Sequence, residues 1–192
     1  LVELDHEHRR DVDLRRQNMA AADVVVFCLP SSQVDDALAL VPKGTRVLDT
    51  SNRHRVSEGW TYGLPELGEA QRAQIASALR VSNPGCFATA FILLTRPLVD
   101  AQVVSRDSVL HAFGMNGYSA GGRRMIEARE RGESVGGFYG LNLDHRHIPE
   151  MTRYSGLERA PVFLPAVGGH PRGLNLALSV PTELPQQALR AL

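Results

Sequence analysis

Cysteine is scarce in this chain: Cys28 and Cys86 are the only two among 192 residues. Two thiols cannot build the multi-bridge framework of a small secreted scaffold, and such sparse usage predicts a reducing, cytoplasmic setting. A surplus of either charge is also lacking, because 21 Lys and Arg balance 21 Asp and Glu. The balance points to neither a nucleic-acid nor a membrane partner. No apolar run approaches the roughly 20 residues that a membrane-spanning helix needs, and Leu1–Asp5 lacks the features of a secretory signal. Internal repeats and low-complexity tracts are absent. Also missing is any G-x-G-x-x-G ahead of the first strand, where a dinucleotide-binding fold places its glycine-rich turn. The chain opens on Leu rather than Met and reads as the middle of a longer polypeptide.

What is present alternates between helix and strand. Asp11 to Ala22 is polar and rich in helix formers, and Asp23–Leu29 is a β-branched run ending at Pro30. That run predicts a strand buried on both faces, as in a parallel sheet, with Cys28 an inert core residue. Ser31-Ser32 is placed to cap a helix over 33–40, and Pro42-Lys43-Gly44 turns the chain into a strand at 46–49. Strand–helix–strand alternation argues for a doubly wound α/β unit, whose ligands sit at the carboxyl ends of the strands. Those ends carry Leu29-Pro30-Ser31, Thr50-Ser51 and Asn83–Cys86. Residues 60–67 read as a loop, 71–79 as a helix, 108–113 as a strand, 114–122 as a glycine-rich turn and 123–131 as a charged helix. Further strands are expected at 162–165 and 174–180.

The stretch Ser82-Asn83-Pro84-Gly85-Cys86 organises the rest. Val81 ends a strand, Pro84 and Gly85 turn, and Cys86 opens an apolar helix through Phe91-Ile92-Leu93-Leu94. Backbone N–H groups and the helix dipole at such a start favour a thiolate, as a nucleophilic cysteine requires. A plain packed cysteine would fit the same stretch.

A second cluster is His145-Arg146-His147 with Glu150. On a strand the two histidines would share a face. No further Cys or His ligands lie near enough in sequence for a metal centre, so the cluster is either a solvated polar loop or the proton-transfer partner of Cys86. Residues 114–124 suit a backbone anion cradle with Arg123 and Arg124 at a helix start, or a flexible turn. Ser51-Asn52-Arg53-His54-Arg55 offers a hydroxyl and arginines at a strand end, for an anion or merely for solvent.

Taken together, five stretches resemble the N-acetyl-gamma-glutamyl-phosphate reductases, kin of the aspartate-semialdehyde dehydrogenases. They are D-T-S-N-R-H-R (49–55), W-T-Y-G-L-P-E-L (60–67), S-N-P-G-C-F-A-T (82–89), G-Y-S-A-G-G-R (117–123) and H-R-H-I-P-E (145–150). Phe87-Ala88 after the cysteine, with H-R-H-I-P-E-M, is similar to the shorter, second type of that family. The resemblance implies the remainder of an NADP-binding Rossmann domain over residues 1–85, and a catalytic and dimerisation α+β domain over 86–192. It implies NADP(H) as cofactor, an acyl phosphate as substrate, and a homo-oligomer, dimer or tetramer. It implies Cys86 as nucleophile and His145 as acid/base, with His147 the second choice. Arg55, Arg123 and Arg124 are the arginines for substrate anions; Pro30, Ser31, Ser51, Asn83, Gly121 and Gly122 lie near the cofactor. The family's opening G-x-x-G-x-x-G and its closing segment have no counterpart, so a fragment that holds NADPH poorly is expected. Rival readings are an aspartate-semialdehyde dehydrogenase-like reductase, a cofactor-free cysteine hydrolase or acyltransferase, and a non-catalytic fragment.

Overall fold

Asp11 begins the first helix by accepting hydrogen bonds from the N–H groups of Asp13 and Leu14, a side-chain N-cap that sets α1 at Val12–Ala21. Then come β1 (Val24–Phe27), α2 (Ser31–Leu38), β2 (Arg46–Asp49), β3 (Thr61–Tyr62), α3 (Glu69–Ser77) and β4 (Arg80–Ser82). Every pairing in the order β1-β2-β4-β3 is parallel. Phe27, Asp49 and Ser82 stand in register, so the carboxyl ends of three strands share one edge. The core joins Phe27, Val34, Ala37 and Val47, with Leu29, Leu38 and Trp60 packed beside them. This computed structural model describes residue 5 and residues 7–134 and 136–182. The chain divides into two compact units between Pro84 and Gly85.

Several expectations for the first unit are corrected. Among the described residues β1 lies at the end of its sheet, and Val24 and Val26 are each 51% exposed rather than buried on both faces. Cys28 is likewise exposed, not core. Pro30, not a serine, occupies the N-cap of α2, which starts two residues earlier than expected. The Ser31 hydroxyl is spent instead on Asn52 Oδ1 at 2.6 Å. The stretch 60–67 holds a short strand, β3, beside a 3-10 turn.

The second unit carries α4 (Cys86–Asp100), β5 (His111–Gly117), a 3-10 turn (Tyr118–Gly121), α5 (Arg123–Glu130), β6 (Gly137–Phe138), α6 (Ile148–Ser155), β7 (Val162–Gly168) and β8 (Leu174–Ser179). Its sheet runs β6-β7-β5-β8, with β5 and β7 parallel and the other pairs antiparallel. Helix α4 is apolar on nearly every side; Phe87, Phe91 and Ile92 are buried, and it packs on α6 and β8. One face of the sheet meets Phe87, whose ring stacks edge-on against Phe163 at 5.1 Å. The opposite face presents Phe113 and its register partner Leu164, and Phe138 lies against Phe113. Leu164 is 37% and Phe138 62% exposed.

The glycines of 114–117, expected in a turn, belong to β5. A Cβ on Gly114 would lie 2.5 Å from Phe87 Cε1, and one on Gly117 2.6 Å from Arg172 N. These glycines serve close approach inside a sheet, not flexibility. His145 and His147 also do not share a strand face: His145 stands in the loop before α6, and His147 is that helix's N-cap residue. The tight turn beginning at His145, whose carbonyl accepts the Ile148 N–H, sets this geometry.

Candidate active site

Cys86 is the first residue of α4, behind Gly85 at the N-cap, and its thiol is exposed. The first-turn N–H groups of a helix have no intrahelical acceptor. Here Gly85 N–H, one step ahead, donates to the buried Glu150 Oε2 at 3.0 Å. Glu150 sits in the first turn of α6, so a contact 65 residues apart in sequence fixes the entry to the cysteine helix. Asn116, near the end of β5, directs its Nδ2 to Cys86 Sγ at 3.5 Å. A side-chain donor therefore faces the sulfur from the sheet while the helix start faces it from behind.

The histidines stand beside the same cysteine-bearing turn, against Phe87. The His145 ring meets Phe87 edge-on at 6.2 Å, the His147 ring lies tilted against it at 6.2 Å, and the two histidine rings are perpendicular with centroids 4.6 Å apart. Both are buried. The backbone N–H of His147 donates to His145 Nδ1 at 3.1 Å, which makes Nδ1 an acceptor and assigns the proton of the neutral ring to Nε2. Nε2 faces Tyr139 Oη at 3.4 Å. Burial pushes the Tyr139 phenol above its ordinary range; the neighbouring Cys86 charge adds to the rise and Arg146 opposes it. Tyr139 thus senses the cysteine and touches the histidine, tying the two into one neighbourhood.

In the first unit the carboxyl edge of the parallel sheet is a knotted loop. The Asp49 carboxylate, fully buried, accepts from Ser51 N–H, Ser51 Oγ–H and the His54 ring. Arg55 donates from Nε to the Asn83 carbonyl at 2.9 Å and from a terminal nitrogen to the Thr50 carbonyl. Helix α2 begins at this edge with no side-chain cap. Open N–H groups at a helix start, at the carboxyl edge of a parallel sheet, fit an anionic or amide-bearing ligand such as a nicotinamide dinucleotide.

Residues 86–192 match the family model described as semialdehyde dehydrogenase, dimerisation domain, and residues 3–78 match semialdehyde dehydrogenase, NAD binding domain. The chain belongs to the semialdehyde dehydrogenase family. It is 39% identical over 189 residues to N-acetyl-gamma-glutamyl-phosphate reductase 2 of Pseudomonas putida, covering 96% of this chain and 60% of that protein. It is 42% identical over 178 residues to N-acetyl-gamma-glutamyl-phosphate reductase of a Chelativorans species, covering 91% and 57%. The chain therefore spans about three-fifths of the length of these relatives. Among solved structures, aspartate semialdehyde dehydrogenase from Francisella tularensis aligns with a TM-score of 0.67 at 10% identity, over 94% of this chain and 63% of that one. Aspartate semialdehyde dehydrogenase II from Vibrio cholerae aligns at 0.63 and 14%, over 87% and 58%. At such identities the likeness is one of fold.

Within this semialdehyde dehydrogenase chain, the expected residues fall into three groups. Cys86, His145 and His147 gather in the second unit, around Phe87. Pro30, Ser31, Ser51 and Asn83 lie along the carboxyl edge of the first unit's sheet, with Arg55 nine-tenths buried on main-chain carbonyls there. Gly121, Gly122, Arg123 and Arg124 form the turn into α5; Gly122 has φ +74°, and Arg123 pairs with Glu127 at 2.7 Å. Sequence reasoning missed Asn116 and Tyr139 as site residues. Asn116 was hidden among glycines, and Tyr139 had no signal beyond its nearness to His145 in sequence.

Proposed function

We propose that this chain is the core of an NADPH-dependent N-acetyl-gamma-glutamyl-phosphate reductase acting in arginine biosynthesis through a cysteine-bound acyl intermediate. The observation that carries the reading is the Cys86 environment: a thiol at a helix start, faced by the Asn116 amide, with Tyr139 linking its surroundings to His145. Cys86 Sγ attacks the acyl carbon of the acyl phosphate; the C–S bond forms as the C–O bond to phosphate breaks, and phosphate departs. When bound, a nicotinamide cofactor would supply the hydride that reduces the thioester carbon. His145 delivers its Nε2 proton to the developing oxyanion and recovers it as the thiohemiacetal collapses, expelling the thiolate and releasing the semialdehyde. First-turn N–H groups of α4 and the Asn116 amide, which faces Cys86 Sγ at 3.5 Å, would hold the oxyanion. Ser31, Ser51 and Asn83, with the Pro30 turn and the open start of α2, are the proposed cofactor residues of the first unit, and Gly121 and Gly122 those of the second. Arg123 and Arg124, both exposed, are the substrate-anion candidates, and Arg55 acts from its buried seat on the Asn83 loop.

An aspartate-semialdehyde dehydrogenase would use the same chemistry on a different acyl phosphate, so the substrate decides. The test is the reverse reaction, followed as NADPH formation with phosphate and either N-acetylglutamate semialdehyde or aspartate semialdehyde. The acetylated substrate is expected to be preferred by about 100-fold or more in kcat/KM, since the site must otherwise leave polar groups unpaired. Preference for aspartate semialdehyde would reverse the assignment.

The face of the second unit's sheet that carries Phe113 and Leu164 is the proposed seat of a second copy of the chain. Its support is the family description of residues 86–192 as a dimerisation domain, together with the exposed Leu164 and Phe138. Leu164→Asp is expected to weaken self-association by about tenfold or more, since it places a charge in an apolar contact. Sedimentation velocity at several concentrations measures it; an unchanged dimer would place the interface elsewhere.

A further inference from the structure

Helix α4 opens without a side-chain cap of its own. Gly85 stands at its N-cap and has no side chain to offer. A capping box would place Glu or Gln three residues on, where it accepts the N-cap N–H. That position in α4 is Ala88, which is fully buried. Gly85 is itself buried, and a buried N–H without an acceptor is costly. The acceptor comes from α6. His147 is the N-cap residue of that helix, and Glu150 is the third residue inside it, the capping-box position. Within its own helix Glu150 would bond back to the His147 N–H. That N–H is instead spent on His145 Nδ1, at 3.1 Å. Glu150 Oε2 accepts the Gly85 N–H of the neighbouring helix, at 3.0 Å.

The Gly85 carbonyl is taken by Thr89, through its N–H at 2.8 Å and its hydroxyl at 3.0 Å. Both main-chain groups of the residue before Cys86 are therefore fixed, one of them from outside the helix. Glu150 is 1% exposed, on a helix that packs against α4, so its carboxylate has little room to swing. We infer that Glu150 is a positioning residue for Cys86: it closes a capping box across two helices and so holds the cysteine turn in place against the turn that carries His145 and His147. The role belongs to the reach of the side chain and its acceptor oxygen, not to its charge. It rests on the reductase reading only where turnover is concerned; the placement of Cys86 is readable without substrate.

Two variants separate reach from charge. Glu150→Gln keeps the length and an acceptor oxygen, whereas Glu150→Asp keeps the charge and withdraws the oxygens by one methylene. In the 192-residue chain, amide exchange at Gly85 is expected to quicken by about tenfold or more in Glu150→Asp, and to stay within about threefold of wild type in Glu150→Gln. Iodoacetamide labelling at one pH, followed by mass spectrometry of the two cysteine peptides, gives a second readout with the exposed Cys28 as internal standard. The Cys86-to-Cys28 rate ratio is expected to fall by about fivefold in Glu150→Asp, as the first-turn N–H groups lose their aim at the sulfur, and to hold within about twofold in Glu150→Gln. Turnover should follow the same order, with a loss of about 10²-fold in kcat for Glu150→Asp, the scale of a small misplacement of a reacting group. A merely structural role would lower the melting temperature and leave the labelling ratio unmoved. Should Glu150→Asp fail to fold, Glu150→Gln decides alone, and quickened exchange at Gly85 with a lowered ratio would overturn the role. It is overturned as well if Glu150→Gln loses as much as Glu150→Asp, or if Glu150→Asp leaves exchange and ratio unchanged. Absence of turnover in the wild-type chain would instead remove the reductase reading, while exchange and labelling still decide the role of Glu150.

Discussion

Cys86→Ser is expected to lower kcat for acyl-phosphate reduction by about 10⁴-fold or more, the scale seen when a covalent nucleophile is removed. A serine hydroxyl at the same helix start is not deprotonated at neutral pH, so the attack that opens the reaction is lost. Folding should be untouched, because the side chain is exposed at the first position of α4, and its polar contact to Asn116 is one a serine hydroxyl can also make. Cys28→Ser is the control: also exposed but in the other unit, it should leave turnover unchanged. Mass spectrometry of wild-type protein mixed with acyl phosphate and no cofactor should find an acyl adduct on the Cys86 peptide. Retention of a large part of wild-type turnover by Cys86→Ser would end the thioester mechanism.

His145→Asn is expected to lower turnover by about 10²- to 10⁴-fold, the usual contribution of a positioned general acid/base. His147→Asn should cost less, for a reason visible in the geometry: what His147 gives its neighbour at 3.1 Å is a backbone N–H, and asparagine keeps that donor. The reverse order of effects would transfer the proton to His147.

The parts of this site that were legible in the sequence are those built from neighbours in the chain. Pro84, Gly85 and Cys86 announce a turn and a helix start, and the apolar run behind them dictates a buried helix. The parallel strands were legible in kind but not in exposure: the Val24–Phe27 run reads as central, yet its position in the sheet is a matter of partners that no local pattern encodes. The glycines of β5 misled because glycine marks both a turn and a close approach; the reason for Gly114 is a phenylalanine ring 27 positions away, seen only in the fold. Asn116 and Glu150 reach the cysteine turn across 30 and 65 residues. Local signals hold no trace of such contacts, and Ser31, legible as a helix cap, bonds to Asn52 instead.

The two exposed cysteines fall one in each unit. The chain thus carries its own pair of attachment points for a spectroscopic ruler. A donor dye on Cys28 and an acceptor on Cys86 would convert any movement between the halves into a change in energy transfer. Because a label on Cys86 also blocks the proposed nucleophile, such a molecule would be frozen ahead of the first bond-making step.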